Sequence, residues 1–92
     1  MPVSVRIPTP LRKFTQGKDE LHLDGSNVLE VMEKLDKEYP GLRDNLVDES
    51  GRFRRFVNVY RNGDDIRFLE HEQTPLKDGD ELAIVPAIAG GH

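Results

Sequence analysis

The chain has no cysteine among its 92 residues. Disulfides, thiolate metal sites and a cysteine nucleophile are therefore excluded. It also lacks an excess of positive charge. Thirteen Lys and Arg stand against 17 Asp and Glu, a net charge of -4, and nucleic acids and anionic membranes are bound through surplus Lys and Arg. Neither is expected as a main partner. No apolar run approaches the length of a membrane-spanning helix. The opening residues, Met1-Pro2-Val3-Ser4-Val5-Arg6-Ile7, contain no basic leader followed by an apolar core, so no secretory signal is expected and the cytoplasm is the default location. The hydrophobic fraction is 36% and charged residues make up 33%. The apolar residues fall in periodic runs rather than diluted as in disordered chains, which predicts one folded, monomeric domain.

Val3, Val5 and Ile7 alternate with Ser4 and Arg6, the period of a strand with one face buried, and Pro8 and Pro10 stop it. A polar stretch to about Gly17 follows. Leu21 and Leu23 alternate with Glu20, His22 and Asp24, predicting a second strand that pairs with the first across a long loop, with His22 on the solvated face. Ser26 and Asn27 offer capping oxygens and Glu30 follows Asn27 by three residues, so a helix starts there. Val28, Val31, Met32, Leu35 and Tyr39 recur at helical spacing, which assigns them to packing, until Pro40-Gly41 ends the helix. Leu42 and Leu46 suggest a helical turn closing over the core. Phe56-Val57-Asn58-Val59-Tyr60 is the strongest β-forming run, and Asn62-Gly63 after it signals a hairpin. Ile66 and Phe68 read as a short strand or extended piece, residues 70–77 as loop, and Asp78-Gly79-Asp80 as a turn into a last strand, Glu81-Leu82-Ala83-Ile84-Val85-Pro86.

Strand, strand, helix, strand, short strand, strand predicts an α+β fold: a mixed β-grasp sheet with one main helix across one face. The first and last strands are its expected central neighbours. Residues 1–87 are assigned to this domain and 88–92 to a flexible tail. The tail, Ile88-Ala89-Gly90-Gly91-His92, carries two glycines that have no Cβ and can be approached closely by another protein. Four residues beyond Ala87 reach roughly 13 Å when extended, enough to enter a partner's channel while the domain stays outside.

Leu76-Lys77-Asp78-Gly79-Asp80-Glu81-Leu82-Ala83-Ile84-Val85-Pro86 followed by Gly90-Gly91 resembles the ThiS/MoaD-type ubiquitin-like sulfur carriers, over essentially the whole chain. Within that family, Arg55-Phe56-Val57-Asn58-Val59-Tyr60, Asp65-Ile66-Arg67-Phe68 and the ending Pro86 to Gly91 most resemble the carrier of actinobacterial cysteine biosynthesis. The resemblance implies a carrier rather than an enzyme, with no bound cofactor. An E1-like activating enzyme would use ATP to adenylate the Gly91 carboxylate. A sulfur donor would then convert it to a thiocarboxylate, with Gly90, Ala89 and Ile88 recognised as the tail. The implied acceptor is a pyridoxal-phosphate-dependent cysteine synthase, or a thiazole-synthase-like or molybdopterin-synthase-like enzyme. The missing cysteine fits: no side chain can hold sulfur as a persulfide, and the two methionines are thioethers.

His92 departs from the pattern, because while it is attached the Gly91 carbonyl is an amide. Two readings stand: a precursor residue that a protease, such as a metalloprotease, removes, or the remnant of a purification tag. With His22 and His71 distant in sequence, a zinc site is not expected. Arg52, Arg54, Arg55, Arg61 and Arg67 concentrate positive charge. Arg54 and Arg55 are the candidates for docking partner carboxylates. RNA binding there would need exposed aromatics, and Phe53, Phe56 and Tyr60 are better assigned to packing. The carboxylate pairs Asp64-Asp65 and Asp78/Asp80 sit in turns with no convergent nucleophile and base. The alternative function is a protein modifier joined through Gly91 to lysines.

Overall fold

The alternation at the start of the chain becomes β1 (Val3–Arg6), whose Val3 and Val5 point into the core. A computed structural model describes residues 2–86. β2 (Glu20–Leu23) pairs with β1 antiparallel, from Val3 opposite Leu23 to Arg6 opposite Glu20. The long connection between them is not merely a polar loop. Residues Thr9–Thr15 wind into a 3₁₀ helix entered through Pro10, which buries Leu11 and Thr15. The buried Thr15 hydroxyl donates to the Lys18 carbonyl at 2.8 Å, which makes its burial tolerable.

The connection to the helix passes close to it. A Cβ built on Gly25 would lie 2.6 Å from Val31 Cγ2, so only glycine fits without a shift. α1 (Val28–Glu38) is capped as its sequence predicts, with Asn27 Oδ1 accepting from the Glu30 amide at 2.8 Å. The reciprocal half of the cap is displaced by one residue: the Glu30 carboxylate accepts from the amide and hydroxyl of Ser26, both at 3.1 Å. Val28, Val31, Met32 and Leu35 form the buried face, and Tyr39 packs half-buried beside it. Leu42 and Leu46 flank a 3₁₀ turn, Arg43–Asn45, and are fully buried, as their spacing suggests.

β3 (Val57–Arg61) turns through Asn62 and Gly63, at φ 50° and 90°, into β4 (Asp64–Asp65). Two consecutive left-handed residues match the twist of the hairpin, which explains Asn-Gly here. Ile66–Phe68, expected to be strand-like, is a 3₁₀ turn instead. The Asp65 side chain accepts from the Arg67 amide at 2.9 Å and draws the backbone out of the ladder. A second such turn, His71–Gln73, lies inside the expected loop. β5 (Glu81–Pro86) completes a sheet ordered β2-β1-β5-β3-β4, with β5 parallel to β1 and antiparallel to β3. This is the mixed β-grasp sheet with α1 on one face, and β1 and β5 are neighbours at its centre. Among the described residues no helix is long and apolar enough to cross a membrane.

Candidate functional site at the root of the C-terminal tail

Ile88, Ala89, Gly90 and Gly91 lie outside the described residues, as does His92. What the structure places is the strand that leads to them. β5 is flanked on both sides, and its Leu82 and Ile84 are buried in the core. Its last rung sets Pro86 opposite Val57. The chain therefore leaves the domain from the centre of the sheet, where β5 is rooted between β1 and β3 and its last residues, Ile84 to Pro86, are paired with β3 alone.

Around that exit is a depression of about 360 Å³ with Pro10, Leu11, Leu46, Phe56 and Pro86 as apolar walls and Asp44, Asn45 and Arg54 as polar ones. Phe56 is 47% exposed. The packing role expected for it in place of RNA stacking is not realised: β3 begins only at Val57, and Phe56 stays outside the core. Phe53 is half-buried against the core, which agrees with a packing role. Val85, on the face of β5 away from α1, is also exposed. An apolar rim at a tail exit suits a partner that must seat the domain while it takes the tail.

Of the five arginines that cluster in the sequence, four stay together in space and one does not. Arg52, Arg54, Arg55 and Arg67 line one cavity of about 500 Å³. Arg61 is elsewhere, with Nη1 donating to the Pro75 carbonyl at 3.1 Å. Arg54 also borders the depression at the tail exit, where its Nη2 donates to the Asp44 carbonyl at 3.1 Å. Of the two docking candidates, Arg54 is thus positioned by the fold next to the tail root. Arg55 is its exposed neighbour on the cavity side.

The carboxylate pairs have structural partners. Asp65 is bound by Arg67 at 2.7 Å. The hydrogen bonds from the Arg67 side chain and amide hold its carboxyl below the usual range. Asp80 accepts from Asn62 Nδ2 at 3.0 Å and from the Lys77 amide at 2.8 Å, and those bonds lower it likewise. Asn62 Oδ1 in turn accepts from the Glu81 amide at 2.9 Å, so the β3–β4 turn is tied to the start of β5. Such groups fold the turns. No set of three or more His, Asp or Glu side chains placed to hold a metal occurs among the described residues. His22 is exposed, 3.6 Å from Glu20.

A pH dependence follows from these carboxylates. A carboxyl whose folded value is lowered stabilises the fold above its unfolded value, and that stability is lost as pH falls through the folded value. Thermal melts should therefore be insensitive to pH from neutrality to about pH 5 and decline below about pH 4. The decline should be shallower in a variant carrying both Asp65→Asn and Asp80→Asn. A decline that begins near pH 6 would rule these carboxylates out as its source.

Among the described residues, a five-stranded sheet, one α-helix and a central strand, β5, after which the sequence runs on to a diglycine define the class of molecule. The chain belongs to the ThiS family, whose model matches residues 5–91. The sulfur carrier protein CysO of Mycobacterium tuberculosis is 41% identical over 93 residues, spanning 99% of this chain and 100% of that one. A solved chain of the Amycolatopsis orientalis BexX/CysO complex superposes with a TM-score of 0.91 at 42% identity, over 97% of this chain and 99% of that one. The solution structure of small archaeal modifier protein 1 from Methanosarcina acetivorans superposes with a TM-score of 0.81 at 36% identity, over 97% and 95%.

Proposed function

We propose that this chain is a sulfur carrier whose cargo is held as a thiocarboxylate on Gly91. The observation that carries the reading is the extent of the family match, which runs through Gly90 and Gly91 and stops one residue short of His92. A carboxylate is a poor electrophile, so a leaving group must be installed before sulfur can attack. ATP supplies it: the Gly91 carboxylate attacks the α-phosphorus, pyrophosphate leaves, and an acyl-adenylate forms. A donor's sulfur then displaces AMP, and the thiocarboxylate is handed to an acceptor enzyme. The activating enzyme is of the E1 type, and the cytoplasm, where ATP is at hand, is the setting. The sequence resemblance to the carrier of cysteine biosynthesis favours a cysteine-synthase acceptor that uses pyridoxal phosphate, ahead of the thiazole- and molybdopterin-forming classes. If His92 is part of the natural chain, a protease of the metalloprotease kind must act first.

Docking is assigned to the exit rim and to Arg54 and Arg55. Charge at a rim acts chiefly on encounter rate. Reversal of both, Arg54→Glu with Arg55→Glu, should slow sulfur loading about tenfold at low ionic strength, with the difference fading as salt is added. An unchanged rate at low salt would remove both residues from the mechanism.

The similarity to a small archaeal modifier protein supports a second reading, in which the same activated Gly91 is joined to lysines of target proteins. Intact-mass and peptide mass spectrometry of the protein recovered from cells separates the two. A terminal thiocarboxylate belongs to the carrier, and isopeptide-linked adducts belong to the modifier.

A further inference from the structure

We propose that Asn62 is a site of spontaneous covalent modification, deamidation through attack by the Gly63 amide, which the fold holds in check by clamping the Asn62 side chain to the start of β5. Of the four asparagines, Asn27, Asn45 and Asn58 precede Val28, Leu46 and Val59, and only Asn62 precedes a glycine. A following residue without a Cβ leaves its amide nitrogen open to close approach. Asn62 and Gly63 are both exposed in the β3–β4 turn, so water reaches them.

The chemistry needs only water. The Gly63 nitrogen attacks Cγ of Asn62 and gives up its proton to solvent; the new C–N bond closes a five-membered succinimide ring as the side-chain amide leaves as ammonia. Water then opens the ring at either carbonyl, which yields aspartate or isoaspartate. Against this stand contacts across the sheet. Asn62 Nδ2 donates to Asp80 Oδ1 at 3.0 Å, and Asn62 Oδ1 accepts from the Glu81 amide at 2.9 Å. The Asn62 amide itself donates to the Glu81 carbonyl at 2.9 Å. Cγ is thus held between two anchored atoms, and it can be brought into line with the Gly63 nitrogen only after both side-chain bonds let go.

The same clamp makes the product costly to the fold. Deamidation replaces Nδ2, a donor, by an oxygen, so Asp80 would face a second carboxylate at hydrogen-bond distance, where like charges repel. Isoaspartate also lengthens the main chain by one methylene, inside a turn built on two consecutive left-handed residues at φ 50° and 90°. Either product unties the β3–β4 turn from β5. Glu81 is at the end of β5 remote from the tail. What the modification limits is therefore the lifetime of the folded domain, not the reaction at Gly91.

The test ages the full chain in mildly alkaline buffer, with and without denaturing urea, and follows each asparagine by peptide mass spectrometry that resolves aspartate from isoaspartate. Conversion is expected at Asn62 well ahead of the other three, and at least about tenfold slower in the folded chain than in urea. Asp80→Ala removes one arm of the clamp and should speed conversion in the folded chain about threefold or more. Leu35→Ala weakens the core without touching the clamp and should leave the rate within about twofold, which separates local release from global unfolding. Asn62→Asp should melt below the parent, while its sulfur loading, measured below that melt, matches the parent. The proposal is overturned by equal rates in the folded and unfolded chain, by an unchanged rate in Asp80→Ala, by an equal acceleration in Leu35→Ala, or by an Asn62→Asp variant as stable as the parent.

Discussion

A version of the protein ending at Gly91 is expected to take up sulfur when mixed with ATP, a sulfur donor and a ThiS-family activating enzyme, while the version that retains His92 stays unmodified. The reason is electronic. In the longer chain the Gly91 carbonyl is an amide, whose resonance leaves no oxyanion to attack ATP. Intact mass then shows exchange of one oxygen for sulfur in the first protein alone. Replacing Gly91 by Val in the shorter chain should cut loading by about a hundredfold or more. A branched Cβ beside the reacting carbon displaces it within a narrow site, and misplacement of about 1 Å costs that much. Loading of the longer chain without loss of His92 would refute the assignment of Gly91 as the reacting terminus.

The second large effect concerns stability. Leu82 is fully buried in β5 and faces Val5 of β1 and Arg61 of β3 across the two ladders. Leu82→Ala removes buried methyl groups at the centre of the sheet, where neighbours on both sides restrict relaxation, and should cost about 3 kcal/mol. In a domain of this size that lowers the melting temperature by roughly 10–20 °C. Val85→Ala, three residues along the same strand but exposed, should stay within about 0.5 kcal/mol of the parent. Equal losses at both positions in thermal or urea melts would show that β5 is not held as described.

Where one periodic pattern decided the local structure, the sequence was legible. Helix α1, its Asn27 cap, the β1–β2 pair and the Asn62-Gly63 turn all follow from spacing and from single residue types. The departures occur where a side chain competes with the ladder. Ile66 and Phe68 alternate as a strand would, yet Ile66 is buried while Phe68 is 85% exposed, and the Asp65–Arg67 contact decides the matter. Leu11 and Thr15 looked like parts of a polar loop because their burial depends on distant packing. The same holds for the candidate site. Gly90 and Gly91 can be read directly, but the rim formed by Pro10, Leu46, Phe56 and Pro86 joins four segments far apart in sequence, and no local signal announces it. The separation of Arg61 from Arg54 and Arg55 was likewise invisible before the strands were placed.

The parallel pairing of β1 with β5 has a mechanical side. A partner that grips the tail and pulls loads the hydrogen bonds between these two strands together, in shear, instead of peeling them one by one. The adjoining β3 ladder shares the load. The domain should therefore keep its shape while its end is drawn into another enzyme, and let go of that enzyme before it unravels.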